Sequence, residues 1–241
     1  AYIVPPVQTW NFEVGVAGAG FLALAVMIFG QWKPFHIFGA AMFFAVVIGL
    51  PLGVILVVGE KSGLAPLPGW LMKTINVIIN LLRSVPFLIL MILLFPFTRA
   101  VVGPAVGTVA SIVPLVVAAF PFVARLVESS LRELNPNIIE MSRSMGASPM
   151  QTIIKVMIPE AMPSLISNAT IAITTILGYT AMSGIVGGGG LGKIAINYGY
   201  YRYKYLVMLL AVILLIVIVQ VFQSIGTHLS VKLDKRLKQN H

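Results

Sequence analysis

Reduced to apolar and polar positions, the chain is a set of long hydrophobic runs joined by short polar connections. A helix needs roughly 20 predominantly apolar residues to cross a hydrocarbon core about 30 Å thick. Five windows meet that length, at about 37–59, 75–97, 105–124, 164–186 and 205–226. Pro and Gly recur inside them, as in IGLPLG and SVPF; in a membrane helix, neighbouring helices re-satisfy the backbone groups that such residues free. The pattern predicts an all-α, polytopic membrane protein with a five-helix core. A sixth, shorter run, GVAGAGFLALAVMIFG at about 15–30, is a candidate extra N-terminal membrane helix. Spanning, lying at the interface and packing re-entrantly all fit its length. A cleaved secretion signal is not expected, because Ala1 to Phe12 carries no positive charge.

Composition agrees with the pattern. The 241 residues are 59% hydrophobic and 10% charged, whereas a soluble domain carries about 25% charged residues. There is no cysteine, so disulfides and thiol chemistry are excluded. The net charge of +9 would suit nucleic acid if it formed one patch, but it does not. Lys61, Lys73, Arg125, Arg132, Arg143, Lys155, Lys232, Lys235, Arg236 and Lys238 fall in alternate connections and the C-terminal tail. Lys33, Arg99, Lys193, Arg202 and Lys204 belong to the other side. By the positive-inside rule the first group is cytoplasmic, which puts the C-terminus inside and starts the first core helix outside. If 15–30 also spans, the N-terminus moves to the cytoplasm. Nucleic acid is not an expected partner; membrane lipid is.

No extramembrane stretch approaches the roughly 50 residues a folded catalytic domain needs. His36, His228 and His241 are too scattered for metal-ligand spacing or a nucleophile–base pair, and the carboxylates form no acid/base pair at membrane depth. No catalytic or metal site is expected, and any energy input has to come from another chain.

The run VGGGGLGKIA, Val186 to Ala195, tests that exclusion. Gly187, Gly192 and Lys193 fit G-x-x-x-x-G-K-[ST], the phosphate-cradling loop, but Ile194 has no hydroxyl for Mg²⁺. Both flanks are apolar segments rather than a strand and a helix of an α/β domain. The glycines, from Gly184 to Gly192, suit close helix approach or the lining of a pathway, and both readings stay open.

Between the third and fourth runs lies the polar connection at about 133–160. Asn135 caps a helix and Pro136 occupies its first turn; Gly146 provides a left-handed stop. Ser148, Pro149 and Gln151 then write a capping box for a second helix that should stop near Pro159. Met150, Ile153, Ile154, Met157 and Ile158 share one face, with Gln151, Thr152 and Lys155 on the other. Such a hairpin either rests on headgroups or its own bundle, or inserts its apolar face into a partner's groove.

Glu140-Met141-Ser142, then Gly146, then Val156, Ile158 and Pro159 keep the spacing of the EAA---G---------I-LP signature. In this the chain resembles the membrane subunits of binding-protein-dependent ABC importers. Met141 and Ser142 replace two alanines, and Ile158 stands for leucine. NLLRSVPFLIL, FPFTRAVVG, MGASPMQTIIKVMIPEAMPSL and GYTAMSGIVGGGGLGKIAINYGY are similar, more narrowly, to the methionine-uptake permeases, over about Phe43 to Lys235. The resemblance implies a permease domain at 37–231, preceded by a segment at 1–36 and followed by a tail at 232–241, in the bacterial cytoplasmic (inner) membrane. It implies a second copy of the chain, two copies of an ABC ATPase subunit, and a periplasmic or lipid-anchored substrate-binding protein. ATP and Mg belong to the ATPase; this chain is expected to hold no cofactor. Glu140, Gly146, Ala147, Ser148, Pro149, Met150 and Pro159 become the coupling element that docks on the ATPase.

Tyr179, Thr180, Met182 and Ser183 are candidates to line the translocation path. The resemblance assigns a closed gate to Met182, against the reading of helix-packing filler. Arg83, with Ser84 beside it, falls in the inner half of the second run, and a charge there either faces the pathway or pairs or snorkels. An ATP-independent secondary transporter would need an ion-coupling carboxylate within a span; Glu60, Glu128, Glu133 and Glu140 read as lying at or beyond span ends. A receptor-like protein would need a sensing domain.

Overall fold

The structure is a computed structural model that describes residues 33–104, 106–107 and 109–233. The apolar segment 15–30 and residues 234–241 of the tail lie outside the described residues. The described residues are helical with no strand.

Helix α1 (Lys33–Val58) is apolar all round, as a membrane span is. It carries the GLPLG turn, and Gly49 and Gly53 face the third long helix. A Cβ on Gly53 would stand 2.6 Å from the Ala124 carbonyl oxygen, and one on Gly49 2.8 Å from Val123 Cβ. Missing side chains therefore let the two backbones meet closely, the small-xxx-small device of membrane helix pairs.

Next come α2 (Gly69–Ser84), α3 (Phe87–Leu93) and α4 (Phe95–Val102). The expected single span at 75–97 is corrected here: α2 and α3 meet at 107°. Pro86 has no N–H to continue the helix, and it drives Val85 into an extended conformation (φ −83°, ψ 126°).

The third span is helix α5 (Ile112–Arg132), later at both ends than the expected 105–124. Gly103 and Gly107, at φ +92° and +124°, keep the preceding loop out of the helix. Its far end extends past Arg125 because Glu128 and Glu60 together neutralise Arg125 and Arg132.

The connection forms α6 (Pro136–Ser144) and α7. The latter starts at Pro149–Thr152, widens into a π-helical Ile153–Met157, and closes with Ile158–Glu160. Then α8 (Met162–Ser183) returns through the bundle. A 3₁₀ turn, Gly184–Val186, leads to α9 (Gly190–Ile194) and a π-helical Ala195–Tyr200 before α10 (Tyr205–Leu233), which outruns the expected 205–226.

Cross-contacts fix the directions. Gly49 lies by Phe120 and Val123, Gly53 by Ala124 and Val127, and Glu60 by Arg132, so α1 and α5 run parallel. Asn168 Nδ2 donates to Ser130 Oγ (2.8 Å) and Ser164 Oγ donates to Glu133 Oε2 (2.7 Å), so α8 runs against α5. Gly226 meets Thr170 and Ser230 donates to the Pro163 carbonyl (2.8 Å), so α10 runs against α8. Since α1 and α5 point the same way, the chain between them must cross once. The bent α2–α3 pair makes that crossing, which brings the spans to five with the four unbroken ones.

The largest core joins α1, α3, α5 and α8 through Ala41, Ala45, Met91, Leu115, Ala119 and Ile176. The glycine run turns the chain back on α8: Gly192 packs on the Ala181 carbonyl and Gly184 on the Lys193 backbone nitrogen. Gly187, Gly189 and Gly190 adopt φ of +80° to +88°. Of the two open readings for the glycines, close packing is what this geometry uses.

Gly53→Leu should overfill the α1–α5 contact and cost about 1–3 kcal/mol. The thermal unfolding midpoint in detergent should fall well below that of Gly39→Leu, where nothing lies within 4 Å; equal midpoints would contradict the contact.

A candidate coupling hairpin and its links into the bundle

At the bundle end where α5 stops and α8 begins, the connection folds as two short helices about a glycine. Asn135 Oδ1 accepts from the Asn137 N–H (3.0 Å), with Pro136 in the first turn. Gly146 adopts φ +82°. Its N–H bonds to the Arg143 carbonyl (2.9 Å) and the Ala147 N–H to the Ser142 carbonyl (3.2 Å), the paired bonds of a Schellman stop. Ser148 and Gln151 exchange both capping-box bonds, at 3.3 and 2.9 Å. The local signals in the sequence thus build the predicted hairpin.

Two details differ. Thr152 does not face away: it is fully buried, with its hydroxyl 3.1 Å from Ser142 Oγ across the hairpin. The second helix does stop near Pro159, at Glu160, but its pitch changes on the way. Proline removes one N–H and crowds the carbonyl four residues back, and the helix widens to π over the preceding turn.

Widening also splits the expected apolar stripe. Met157 enters the bundle core, whereas Met150 and Ile154 stay outside, 64% and 57% exposed. They are joined on the hairpin by Met141 and Met145, 58% and 74% exposed. Those two methionines were missed as anchors, although their i, i+4 spacing puts them on one helix face. Glu140 and Pro159 are exposed, and Ala147 is half-buried.

Beside the hairpin, polar links that sequence reading missed tie α5 to its neighbours. Glu128 does not lie beyond its span: it sits about one turn inside the end of α5, 7% exposed, and is the one buried charged side chain among the described residues. Its Oε2 accepts from Arg125 Nη1 (2.6 Å) and its Oε1 from Arg132 Nη2 (2.8 Å). Arg132 also pairs with Glu60, and Arg125 Nη2 donates to Asn76 and Asn80 of α2 (2.8 and 2.9 Å). The signal was the i−3, i+4 spacing of arginines around Glu128.

The candidate path residues are more dispersed. Arg83 and Ser84 end α2, both exposed, with Ser84 Oγ donating to the Asn80 carbonyl (2.8 Å). Tyr179 stacks on Phe87 of α3, centroids 4.7 Å apart. Met182 is 45% exposed, while Ser183 is buried and donates to the Thr180 carbonyl (2.7 Å). Gly188 has no side chain to meet it, and a Cβ there would stand 2.9 Å from Ser111 Oγ. Ser183 is thus built into the glycine turn, apart from the exposed Met182. No group of three potential metal ligands occurs among the described residues.

Residues 49–235 match the family described as the inner membrane component of binding-protein-dependent transport systems. The chain belongs to that permease family. A probable D-methionine transport system permease protein MetI of Vibrio cholerae is 44% identical over 212 residues, covering 88% of this chain and 93% of the relative. The D-methionine transport system permease protein MetI of Escherichia coli K12 is 45% identical over 159 residues, covering 66% of this permease and 73% of its own length. Among solved structures, a chain of the MetNI methionine ABC transporter in an inward-facing conformation superposes with a TM-score of 0.84 at 42% identity, covering 88% of this permease and 98% of that chain. The family and the apolar helices make this permease a multi-pass inner-membrane protein.

Gly146→Val puts a β-branched residue in the left-handed region, at about 1–2 kcal/mol. Amide exchange over 136–152 should quicken while α1 and α5 stay protected; unchanged exchange would refute the strain.

Proposed function

We propose that this permease is one half of a homodimeric translocation pathway for methionine, driven by two copies of a separate ABC ATPase and supplied by a substrate-binding protein. The observation that carries the reading is the glycine-jointed hairpin, which exposes Met141, Met145, Met150 and Ile154 together on polar backbone caps. Flexible, polarisable methionines suit a surface that must stay engaged while its partner changes shape, and an apolar helix face in a groove is a recurrent docking mode. ATP and Mg sit on the partner, which hydrolyses the nucleotide. The names of the relatives support methionine as cargo and the ATPase as partner.

Mechanically, nucleotide-driven closure of the ATPases moves the hairpins, and the hairpins move α5 and α8, between which each is strung. Helix α10 supports the second copy. Its Gln220, Gln223, Ser224 and Thr227 are exposed in the single chain, whereas Phe222, Gly226 and Ser230 pack on this chain. Polar groups within a span need water or another helix, and a two-fold partner supplies both a seam and an enclosed path. Arg83 and Met182, exposed in the single chain, are available to that path. The basic connections support a cytoplasmic hairpin and C-terminus.

A buried carboxylate within a span is the mark of an ATP-independent transporter, and Glu128 is such a group. Its two arginine partners, however, engage both oxygens, which argues for an ion-paired structural role over one in binding a coupling ion.

Labelled methionine should accumulate in proteoliposomes only when ATP, the ATPase and the binding protein are all present. Accumulation driven by an ion gradient without ATP would refute the reading. Met145→Asp with Met150→Asp should lower co-purification of the ATPase about tenfold, the effect of losing some 1.4 kcal/mol at a contact; undiminished recovery would count against the docking face.

A further inference from the structure

We propose that Glu128 is a positioning residue that carries movement of the coupling hairpin into the bent α2–α3 pair and on to the Met182 end of α8. The inference rests on the coupling reading above.

Glu128 stands one helical turn before Arg132, and only Glu133 and Leu134 separate Arg132 from the hairpin's cap at Asn135. Each arginine that Glu128 holds also has a partner on a different element. Arg125 reaches α2 at Asn76 and Asn80, and Arg132 reaches Glu60 in the α1–α2 connection. Two positive and two negative groups sum to zero, the condition for keeping them beside apolar helices. Pulling Arg125 away from Glu128 would strand a charge with 20% of its side chain exposed beside one with 9%. The cluster therefore shifts as a unit, and α2 follows α5.

What α2 does with that shift is set by its end. Asn80 is both the acceptor for Arg125 and the residue whose carbonyl takes the Ser84 hydroxyl. Ser84 is the last residue before the Val85–Pro86 joint, where no helical hydrogen bond can reach the proline nitrogen. Directly beyond the joint, Phe87 stacks on Tyr179 with an interplanar angle of 11°, and Tyr179 is three residues before Met182. A displaced α5 thus changes the bend at the joint, and the stacked rings deliver it to α8. Contiguity alone is an association; coupling has to be measured by a readout that simple loss of structure does not move.

That readout is the number of methionines taken up per ATP hydrolysed by the full complex in proteoliposomes. Two variants cut the path at different points: Glu128→Gln removes the hub, and Asn76→Ala with Asn80→Ala removes the polar links from α5 to α2 while leaving every ion pair and the apolar contact of Ala124 with Met72 and Ile79 in place. Both should keep ATP hydrolysis that responds to the binding protein, and both should lower uptake per ATP about fivefold or more, the lower end of measured site-to-site couplings. Asn76→Ala with Asn80→Asp, which returns an acceptor to Arg125, should restore the ratio. An unchanged ratio in the double-alanine variant overturns the proposal, even if Glu128→Gln fails to assemble. So does a parallel fall of hydrolysis and uptake, which marks a merely structural cluster. Failure of the unchanged protein to couple uptake to ATP would instead strike the parent reading, and would take this inference with it.

Discussion

The contact between α1 and α5 is where two glycines let neighbouring helices approach closely, and the remaining spans are hung on it. In hydrocarbon the gain from burying one apolar side chain against another is small, because lipid tails are as apolar as leucine. Close approach is what distinguishes protein from lipid, and Gly49 and Gly53 provide it against Val123, Ala124 and Val127. With α5 parallel to α1, α8 returns antiparallel to α5, held by Asn168 and Ser164. The same glycine device recurs where α10 meets α8, with Gly226 against Thr170.

Polar groups then do what apolar packing cannot do in this solvent: they specify partners. Ser142 and Thr152 close the hairpin, Ser164 and Glu133 tie α5 to α8, and the arginine–carboxylate cluster ties α5 to α2 and to the α1–α2 connection. The last two join elements far apart in sequence near the hairpin's end of the bundle. At the other end, glycine turns and aromatic side chains predominate, among them Tyr200, Tyr201 and Tyr203, all exposed.

How much of this could be read beforehand followed from the range of each interaction. The caps at Asn135, Gly146 and Ser148 are settled within four residues, and they folded as the sequence indicated. Thr152 was misjudged because its partner Ser142 is ten residues away across a turn. Glu128 looked like a boundary residue because the neutralising guanidiniums become visible only when the helix is known to continue to Arg132. The SVPF break was legible as a proline, but its 107° depth was not: a kink and a corner begin with the same residue. The helical wheel failed at Ile153–Met157, where the pitch itself changes.

Helix α10 has a consequence for how the protein sits in its bilayer. Its 29 residues at 1.5 Å each measure about 44 Å, some 14 Å more than the hydrocarbon is thick. Ordinary tilt absorbs only a few ångströms of such an excess. The remainder must stand in the headgroups, and His228 and Lys232 mark the end that does so. The helix is a depth gauge: lipid of a given thickness fixes how far that end projects, and with it the height of the machinery beside it.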